Sequence, residues 1–426
     1  MNWHHTTDFP ALADEFGSPL WIMDAATIKA QIARLRAFDV IRFAQKACSN
    51  THVLRLMREQ GVLVDAVSNG EIERALAAGF AAGFGPAGGH AELVLTSDLL
   101  DRATLARVVA LQIEVNCGSI DMLHQLGQAS PGHRVWLRIN PGFGHGHSNK
   151  TNTGGENSKH GIWHEQLGEA LAVIQARGLH LAGLHMHIGS GVDYGHLQQV
   201  CGAMVTLVAQ VARAGMDLQA ISSGGGLSIP YRAEEASEEV DTDHYFQLWH
   251  AARQQIEALL GHAVRLEIEP GRFLVAQAGA MLAEVRAIKH QGGQQFVLVD
   301  AGFNDLMRPA LYGSYHHISR ITRHADASDA SAASATTQDY VVAGPLCESG
   351  DVFTQIDGGV VETRSLPELA VGDYLLFHDT GAYGASMSSN YNSRGLLPEV
   401  LLQAGEARLI RRRQTIADLL QLEAGL

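Results

Sequence analysis

One strand-to-helix unit of this chain reads Val40-Ile41-Arg42-Phe43-Ala44-Gln45-Lys46-Ala47-Cys48-Ser49-Asn50. The mostly apolar residues 40–44 predict a short buried strand. A helix is predicted next, because Asn50 is a favoured N-cap residue and Gly61 a favoured terminator. Lys46 therefore lies where a strand ends and a helix is about to begin, which is where an α/β barrel places its functional side chains.

The same alternation of apolar strands and amphipathic helices continues from about residue 24 to 275. Eight strand–helix units over about 250 residues are the number and length of a (β/α)8 barrel. We therefore predict an α/β fold with a TIM-barrel domain over 24–275. The predicted strands lie near residues 40–44, 62–67, 93–96, 112–116, 135–139, 181–186, 218–223 and 264–269.

After residue 276 the helical pattern mostly ends, and short apolar runs are separated by turn residues. The runs at 296–300, 340–343, 374–377 and 400–402 predict a C-terminal β-rich, barrel-like domain over 276–426. The low-complexity residues 325–336 predict a surface loop, and the long polar segment 141–160 predicts a loop that is either functional or disordered.

Composition limits the possible partners. The 426 residues carry a net charge of −14, which argues against nucleic acid or an anionic membrane surface as the main partner. The four cysteines have no CxxC spacing, as expected in a reducing compartment. No basic segment followed by an apolar stretch opens the chain, and no apolar run reaches transmembrane length. We expect a cytoplasmic protein.

Two features at strand ends are of kinds that can bind a cofactor, one through a carbonyl group and the other through a phosphate. A lysine amine at the position of Lys46 can form a Schiff base with a carbonyl group, although lysines at such junctions are also commonly solvated. The run Gly224-Gly225-Gly226 follows the seventh predicted strand, where barrels often bind phosphate, although a plain tight turn would use the same residues.

Glu269 and Arg272 end the eighth predicted strand, in Glu269-Pro270-Gly271-Arg272. A carboxylate at this position can pair with a cationic ring nitrogen, and a guanidinium can bind an anion through two hydrogen bonds. The alternative is a structural salt bridge between the two side chains. His185-Met186-His187 ends the sixth strand, but two imidazoles alone are too few ligands for a metal site. Packing of an imidazole on an aromatic cofactor, with the following Ser190 on its phosphate, fits the neighbouring features better.

In the second predicted domain, Cys347-Glu348-Ser349-Gly350-Asp351 and Asp379-Thr380-Gly381-Ala382-Tyr383-Gly384 are polar turns that follow strands. Arg308 and Tyr312, four residues apart, can present a cation and a phenol together. Each of these features could equally be a surface turn.

Taken together, these ordered motifs resemble the fold-type III pyridoxal-phosphate-dependent decarboxylases. The similarity runs nearly end to end and is greatest to the diaminopimelate decarboxylase family of the enterobacterial kind. Gln45, Cys48 and Met186 depart from the commoner family pattern without removing a reacting group. The resemblance implies a pyridoxal 5'-phosphate-binding barrel and a β-domain that residues 1–23 join.

The resemblance also implies roles for individual residues. Lys46 would carry the cofactor, and Cys347 would handle a proton in catalysis. The implied cofactor-binding residues are Lys46, Asp65, His187, Ser190, Gly224, Gly225, Gly226, Glu269 and Tyr383. The implied substrate-binding residues are Arg272, Arg308, Tyr312, Glu348 and Tyr383. No metal is implied, and Cys347 and Glu348 would reach the site from the partner subunit of a homodimer.

The implied reaction converts meso-2,6-diaminopimelate to L-lysine and CO2, the last step of lysine synthesis. Another decarboxylase of the ornithine or arginine type, or an alanine racemase, would share much of the barrel. The pair Arg272 and Arg308 favours a substrate with a distal carboxylate, and a racemase would lack the Cys347-Glu348 element. A non-catalytic regulator would be expected to lack the lysine or the cysteine. A metal-dependent barrel hydrolase would be expected to have its HxH motif after the first strand, whereas here the motif ends the sixth.

Overall fold

The computed structural model describes residues 3–85, 90–144, 154–187, 189, 191, 193–322 and 336–425. These residues form two compact units, Gln31–Ser228 with Glu239–Leu274, and Met1–Ala30 with Ile229–Glu238 and Val275–Leu426. The domain boundaries at 24 and 275 stay a prediction, because only independent folding of the pieces would test them. Residues 145–153 of the long polar segment and 325–335 of the low-complexity insert lie outside the described residues.

The first unit is a closed barrel of eight parallel strands, which confirms the predicted fold. Each strand pairs with the next along the chain, and the last pairs with the first. The strands are β1 (Val40–Ala44), β2 (Leu63–Ala66), β3 (Leu93–Ser97), β4 (Glu114–Cys117), β5 (Arg134–Asn140), β6 (His180–His185), β7 (Ala220–Ser222) and β8 (Arg265–Ile268). A two-residue strand, Ile162–Trp163, lies against the end of β5.

Helices follow the barrel strands as the sequence predicts. The Asn50 side chain accepts a hydrogen bond from the His52 amide, so the predicted cap is present, and Ser68 caps the next helix by accepting one from the Glu71 amide. The helices are Ala25–Ala33 before β1, then Thr51–Glu59, Asn69–Ala77, Arg102–Leu111, Ile120–Ala129, Leu167–Arg177, Tyr194–Arg213, Thr242–Leu260 and the short Arg272–Val275.

The interior of the barrel is polar, unlike the stacked aliphatic layers of many barrels. Arg42 of β1 forms an ion pair with Glu267 of β8 at 3.0 Å, and their side chains are only 2% and 1% exposed. The Trp136 indole N–H donates to Glu114 at 2.9 Å. Ion-paired and hydrogen-bonded side chains thus lie inside the barrel at this level, and other buried polar groups lie nearer the carboxyl ends of the strands.

The second unit is built around a nine-stranded mixed sheet. Leu20–Asp24 lies within it, antiparallel to Gly279–Gln291 and parallel to Glu399–Gln403, so the N-terminal segment and the C-terminal part share one sheet. The other strands are Gln294–Val299, Ile318–Ile321, Thr337–Ala343, Arg364–Pro367, Tyr374–Phe377 and Glu406–Arg411, and the α-helices are Phe9–Phe16, Arg308–Tyr312 and Ile416–Leu420.

The core of this unit explains why the N-terminal segment joins it. Trp21 packs with Phe377 and Tyr340 on one face of the sheet, whereas Leu20 and Ile22 pack into a second cluster on the other face. Alternate residues of a single strand therefore bury apolar surface on both faces. No helix within the described ranges is both long and apolar enough to cross a membrane.

Candidate active site

Lys46 lies in the 3-10 turn Gln45–Ala47, directly after β1. Gln45 and Ala47 on either side are buried, and the Gln45 amide donates to the Glu71 carbonyl at 3.1 Å. The Lys46 side chain itself is exposed. The buried neighbours thus anchor the turn, and the amine is presented at the carboxyl end of the barrel.

Asp65 lies beside this turn, because it pairs in register with Ala44 at the end of β1. The residue is 3% exposed, and its Oδ1 has no hydrogen-bond partner among the described residues. Burial, reinforced by the charge of Glu269, raises the pKa of Asp65 well above its usual value, although Thr96 and Lys46 act in the opposite direction. An unpartnered polar atom in this position is a feature that a bound polar ligand would complete.

Glu269 follows β8 and is held by two side chains from neighbouring strands. The imidazole Nε2 of His185 lies 2.7 Å from its carboxylate, and the Ser222 hydroxyl donates to it at 3.1 Å. Burial alone would raise the pKa of Glu269, but His185, the positive charge of Arg42 and the Ser222 hydrogen bond outweigh burial and lower it to about 2. Glu269 is therefore a fixed carboxylate, ionised at neutral pH.

The glycine run after β7 approaches its neighbours too closely for side chains. A Cβ on Gly224 would lie 2.4 Å from the Met186 carbonyl oxygen, and one on Gly225 would lie 2.6 Å from the Glu269 carbonyl oxygen. Gly226 has φ of +113°, which L-residues with side chains rarely adopt. The run forms a backbone cradle of the kind that binds anions.

His187 packs against this cradle, where its side chain would contact a Cβ placed on Gly224 or Gly225. Burial, together with the positive charges of Arg138 and Lys46, lowers the pKa of His187 well below its usual value, so the imidazole is neutral at pH 7. Ser190, predicted to contact the phosphate, lies outside the described residues.

Arg272 begins the short helix after β8. The preceding Gly271 is in close contact with the Lys46 turn, since a Cβ there would lie 3.3 Å from both the Ala44 carbonyl oxygen and the Ala47 Cβ. The barrel thus brings Arg272 next to the turn that carries the lysine.

These barrel residues fit pyridoxal 5'-phosphate. Lys46 offers an amine for its carbonyl, the glycine cradle offers backbone N–H groups for its phosphate, and Glu269 offers an ionised carboxylate for its ring nitrogen. The neutral ring of His187 packs against the cradle, as a group that stacks on the cofactor ring would. His185 donates to Glu269, and among the described residues no group of three or more His, Cys, Asp or Glu is placed to hold a metal ion.

The remaining predicted residues lie on the sheet unit. Arg308 and Tyr312 are the first and last residues of one short helix. The Arg308 side chain is buried, and its guanidinium donates to the Tyr231 hydroxyl and approaches His316 Nε2, both at 3.1 Å. The helix therefore presents the predicted cation and phenol one turn apart.

Cys347 and Glu348 are exposed on a turn that Asp351 organises. The Asp351 carboxylate accepts hydrogen bonds from the Leu346 and Phe303 amides, both at 2.7 Å. The Cys347 amide donates to the Asn392 side chain at 2.8 Å. The backbone around the thiol is thus fixed, although the thiol itself faces solvent in a single chain.

Tyr383 has a left-handed backbone, with φ of +59°, and Asp379 in the same turn has φ of +56°. Between them, a Cβ on Gly381 would lie 2.0 Å from the Val275 carbonyl oxygen. Two strained non-glycine residues in one turn are more common at functional sites than elsewhere.

Sequence reasoning missed several polar residues that support these groups. On the barrel they are Arg138, His185 as a partner of Glu269, and Ser222; on the sheet unit they are Tyr231, His316, Asp351 and Asn392. The three barrel residues could have been found from the sequence, because each is a polar residue in an apolar strand, at a position that faces inward. The loop residues had none.

The fold and the site define the class of protein: an α/β-barrel enzyme that uses pyridoxal phosphate. The family model of the pyridoxal-dependent decarboxylases, pyridoxal binding domain, matches residues 25–276. A relative from Escherichia coli K12 named diaminopimelate decarboxylase is 67% identical over 412 residues, which are 97% of this chain and 95% of that protein.

Two solved structures are similar over nearly the whole chain. A crystal structure of diaminopimelate decarboxylase is 66% identical, with a TM-score of 0.91 over 97% of this chain and 96% of that one. The Helicobacter pylori diaminopimelate decarboxylase complexed with L-lysine is 29% identical, with a TM-score of 0.85 over 98% and 99% of the two chains. The chain belongs to the diaminopimelate decarboxylase family of pyridoxal-dependent decarboxylases, as the motifs indicated.

Proposed function

We propose that this chain decarboxylates meso-2,6-diaminopimelate to L-lysine and CO2, the last step of lysine biosynthesis. Bound pyridoxal phosphate supplies an electron sink for the electron pair that remains at the substrate Cα when CO2 leaves. The protein's own contribution is to hold that group, orient the substrate and deliver a proton.

Glu269 is the residue that makes the sink effective. Its carboxylate is ionised and is held by His185 at 2.7 Å, so it stabilises a proton on a ring nitrogen placed against it. Because the carboxylate is fixed before the substrate arrives, no reorganisation is needed at the moment of reaction.

Lys46 would hold the cofactor through its side-chain amine. Asp65 lies near the amine with a raised pKa, so it can share a proton with groups around Lys46. The neutral His187 ring covers one face of the site without adding a charge that would compete for Glu269.

The substrate's distal end would be recognised by Arg272, Arg308 and Tyr312. A guanidinium can form two parallel hydrogen bonds with one carboxylate, so a site with such groups favours a substrate with a distal carboxylate over simple diamines. Cys347 would return the proton to Cα, with Glu348 on the substrate's distal amine and Tyr383 on the phosphate.

We infer further that Cys347 and Glu348 act in the site of the partner subunit of a homodimer. Both side chains are exposed in one chain, on a turn whose backbone is firmly held. We also propose a cytoplasmic location, in which the four free cysteines stay reduced.

The observation that carries the proposal is the fixed, ionised Glu269 at the barrel end that also holds Lys46, in a chain 67% identical to a diaminopimelate decarboxylase. The test is to incubate the protein with meso-diaminopimelate and measure L-lysine and CO2, with and without added pyridoxal phosphate. Ornithine, arginine and alanine serve as comparison substrates. Equal release of lysine and CO2 is expected; turnover of ornithine, or racemisation of alanine, in preference to diaminopimelate would overturn the proposal.

A further inference from the structure

The Arg308 guanidinium is buried among polar side chains, and the Asp379 carboxyl is close enough to interact with its charge. Arg308 is 5% exposed. Its NH1 nitrogen lies 3.1 Å from the Tyr231 hydroxyl and 3.1 Å from His316 Nε2. Its NH2 donates to the Ser314 hydroxyl at 3.3 Å, and its central carbon lies 4.9 Å from the centroid of the Tyr231 ring. The guanidinium is therefore held by an imidazole, a phenol and a hydroxyl.

The contacts of His316 determine where its proton lies. Its Nδ1 is 2.8 Å from the His378 carbonyl oxygen, which can only accept a hydrogen bond, so Nδ1 carries the hydrogen. A guanidinium can only donate, so the Nε2 that faces Arg308 must be unprotonated. His316 is 4% exposed and is thus fixed as the neutral Nδ1–H tautomer, with an acceptor aimed at Arg308.

We propose that His316 is a positioning residue that holds the Arg308 guanidinium in place for the substrate's distal carboxylate. The inference rests on the proposed function, because it takes Arg308 as the group that binds this carboxylate. An arginine side chain loses rotamer freedom when a ligand fixes it, and holding the guanidinium in place before the substrate arrives removes part of this cost from binding.

The effect of His316 on binding should depend on whether the ligand has a carboxylate. L-lysine, the product of the proposed reaction, has an α-carboxylate, whereas cadaverine has the same carbon chain and both amines without it. His316 should therefore affect the binding of lysine and diaminopimelate but not that of cadaverine.

Two substitutions separate the functions of the imidazole. His316→Asn keeps a donor near the Nδ1 position for the His378 carbonyl but removes the acceptor for Arg308. His316→Gln places an amide oxygen near the Nε2 position, where it can accept from Arg308. The variants are compared as holoenzymes, by steady-state kinetics with diaminopimelate and by calorimetric titration with L-lysine and with cadaverine.

For His316→Asn we expect KM for diaminopimelate and Kd for L-lysine to rise about tenfold, the effect of losing one ordinary hydrogen bond. The kcat, the visible absorbance of the cofactor and the cadaverine Kd should stay unchanged. His316→Gln should be close to the unsubstituted enzyme. An equal loss of cadaverine binding, an equal loss in both variants, or no loss in His316→Asn would overturn the inference.

A second measurement reads the tautomer in the unsubstituted protein, and one folded variant serves only to assign the signal. Nitrogen-15 NMR of histidine-labelled holoenzyme reports which ring nitrogen carries hydrogen, and the His316 signal is identified by its absence in either variant. The Nδ1–H tautomer is expected at pH 8, and an Nε2–H tautomer would overturn the inference. The outcomes also separate the two proposals: an enzyme that does not decarboxylate diaminopimelate contradicts the function, whereas an active enzyme insensitive to His316→Asn contradicts only the role of His316.

Discussion

Asp65 and Glu269 are two buried carboxylates of one barrel whose pKa values move in opposite directions. The Glu269 carboxylate accepts hydrogen bonds from His185 and Ser222, and these contacts help to lower its pKa to about 2. The pKa of Asp65 is raised, because burial and the nearby Glu269 charge outweigh its favourable contacts. Such a separation suits chemically similar groups to different tasks: Glu269 stays ionised, and Asp65 can carry a proton.

Lys46→Ala should abolish turnover and the visible absorbance of the bound cofactor, because the amine that attaches it is lost. Loss of a positioned proton-transfer group alone costs about 10²- to 10⁴-fold in rate, so kcat should fall at least this far. Absorbance spectra and lysine release are measured on the purified variant. Lys29→Ala, at an exposed position of the helix Ala25–Ala33, is the matched control and should behave normally. A Lys46→Ala protein with normal activity would refute the assignment.

His185→Leu should weaken cofactor binding, because the Glu269 carboxylate loses its 2.7 Å donor and its pKa rises. A hydrogen bond to a charged group contributes about 1.5–3 kcal/mol, so the Kd for pyridoxal phosphate should rise about 10- to 150-fold. The Kd is measured by titrating the apoprotein. Ser222→Ala, which removes the longer hydrogen bond of 3.1 Å, should have a smaller effect; an unchanged Kd in His185→Leu would be evidence against this role.

At the scale of elements, the site is built where strands end. β1 leads to Lys46, β2 contains Asp65, β6 contains His185, and β8 leads to Glu269. Because all barrel strands run in parallel, their carboxyl ends meet at one rim, and residues far apart in the chain become neighbours. The glycine run after β7 completes the rim with backbone alone.

Gly225→Ala tests the close packing of that run. The new methyl group would lie 2.6 Å from the Glu269 carbonyl oxygen, which is backbone and cannot move aside without shifting Glu269. We expect weaker cofactor binding and a free energy of unfolding lower by about 1–3 kcal/mol, typical of overpacking. Urea unfolding and apoprotein titration measure the two effects.

The matched control is Gly168→Ala, in the helix Leu167–Arg177, where an added Cβ meets nothing within 4 Å. Better helix propensity should make this variant more stable, by up to about 1 kcal/mol. If Gly225→Ala binds the cofactor as well as Gly168→Ala does, the run has no role as a cradle.

At the scale of the whole molecule, the sheet unit contains imidazoles that resist protonation. The His378 ring lies 4.5 Å from that of His4 and 4.9 Å from that of His317. Burial, followed by the neighbouring imidazoles, lowers the pKa of His378 to about 3, and burial and His5 lower that of His4 to about 4. In the unfolded chain these imidazoles take up protons near pH 6.5, whereas in the folded chain they do so only at lower pH. Their contribution to stability is therefore complete above pH 6.5 and is lost on acidification.

His378→Asn should therefore make stability less sensitive to acid between pH 6.5 and about 4. One proton bound only by the unfolded chain gives a slope of about 1.4 kcal/mol per pH unit, and the variant should lose up to this much of the slope. Urea midpoints at several pH values provide the measurement. An unchanged slope would show that the imidazole titrates normally.

Asp379→Asn is a control of opposite sign. Burial raises the pKa of Asp379 to about 7, so between pH 7 and about 4 the folded chain binds a proton that the unfolded chain does not. This residue stabilises the fold on acidification, and its replacement should make stability fall more steeply with acid. Asparagine tolerates the left-handed backbone at this position, where φ is +56°.

The proposed homodimer can be tested by complementation. If Lys46 and Cys347 of different subunits form one site, mixing inactive Lys46→Ala with inactive Cys347→Ala protein gives mixed dimers with one intact site each. Random exchange should then restore about a quarter of the activity, since half of the dimers are mixed. Sedimentation checks that both variants are dimeric. No recovery after verified exchange would contradict a shared site.

The sequence alone was sufficient for the barrel and for most residues of the candidate site. Strand and helix periods are local properties, and Asn50 and Ser68 predict helix starts from a few residues. The motifs with Lys46 and Glu269 are likewise contiguous, so they could be found without knowing what they contact. Their roles still came from the resemblance and stay proposals.

Only the tertiary structure revealed which side chains hold the reactive ones. His185 and Glu269 are 84 residues apart, and Tyr231 and Arg308 are 77 apart. No local pattern links such pairs, because their contact depends on barrel closure in one case and on a returning loop in the other. The pKa values of Asp65 and Glu269 depend on the same contacts, since burial and neighbouring charges exist only in the folded chain. Local periodicity thus determined the architecture, whereas long-range packing decided the electrostatics of the site.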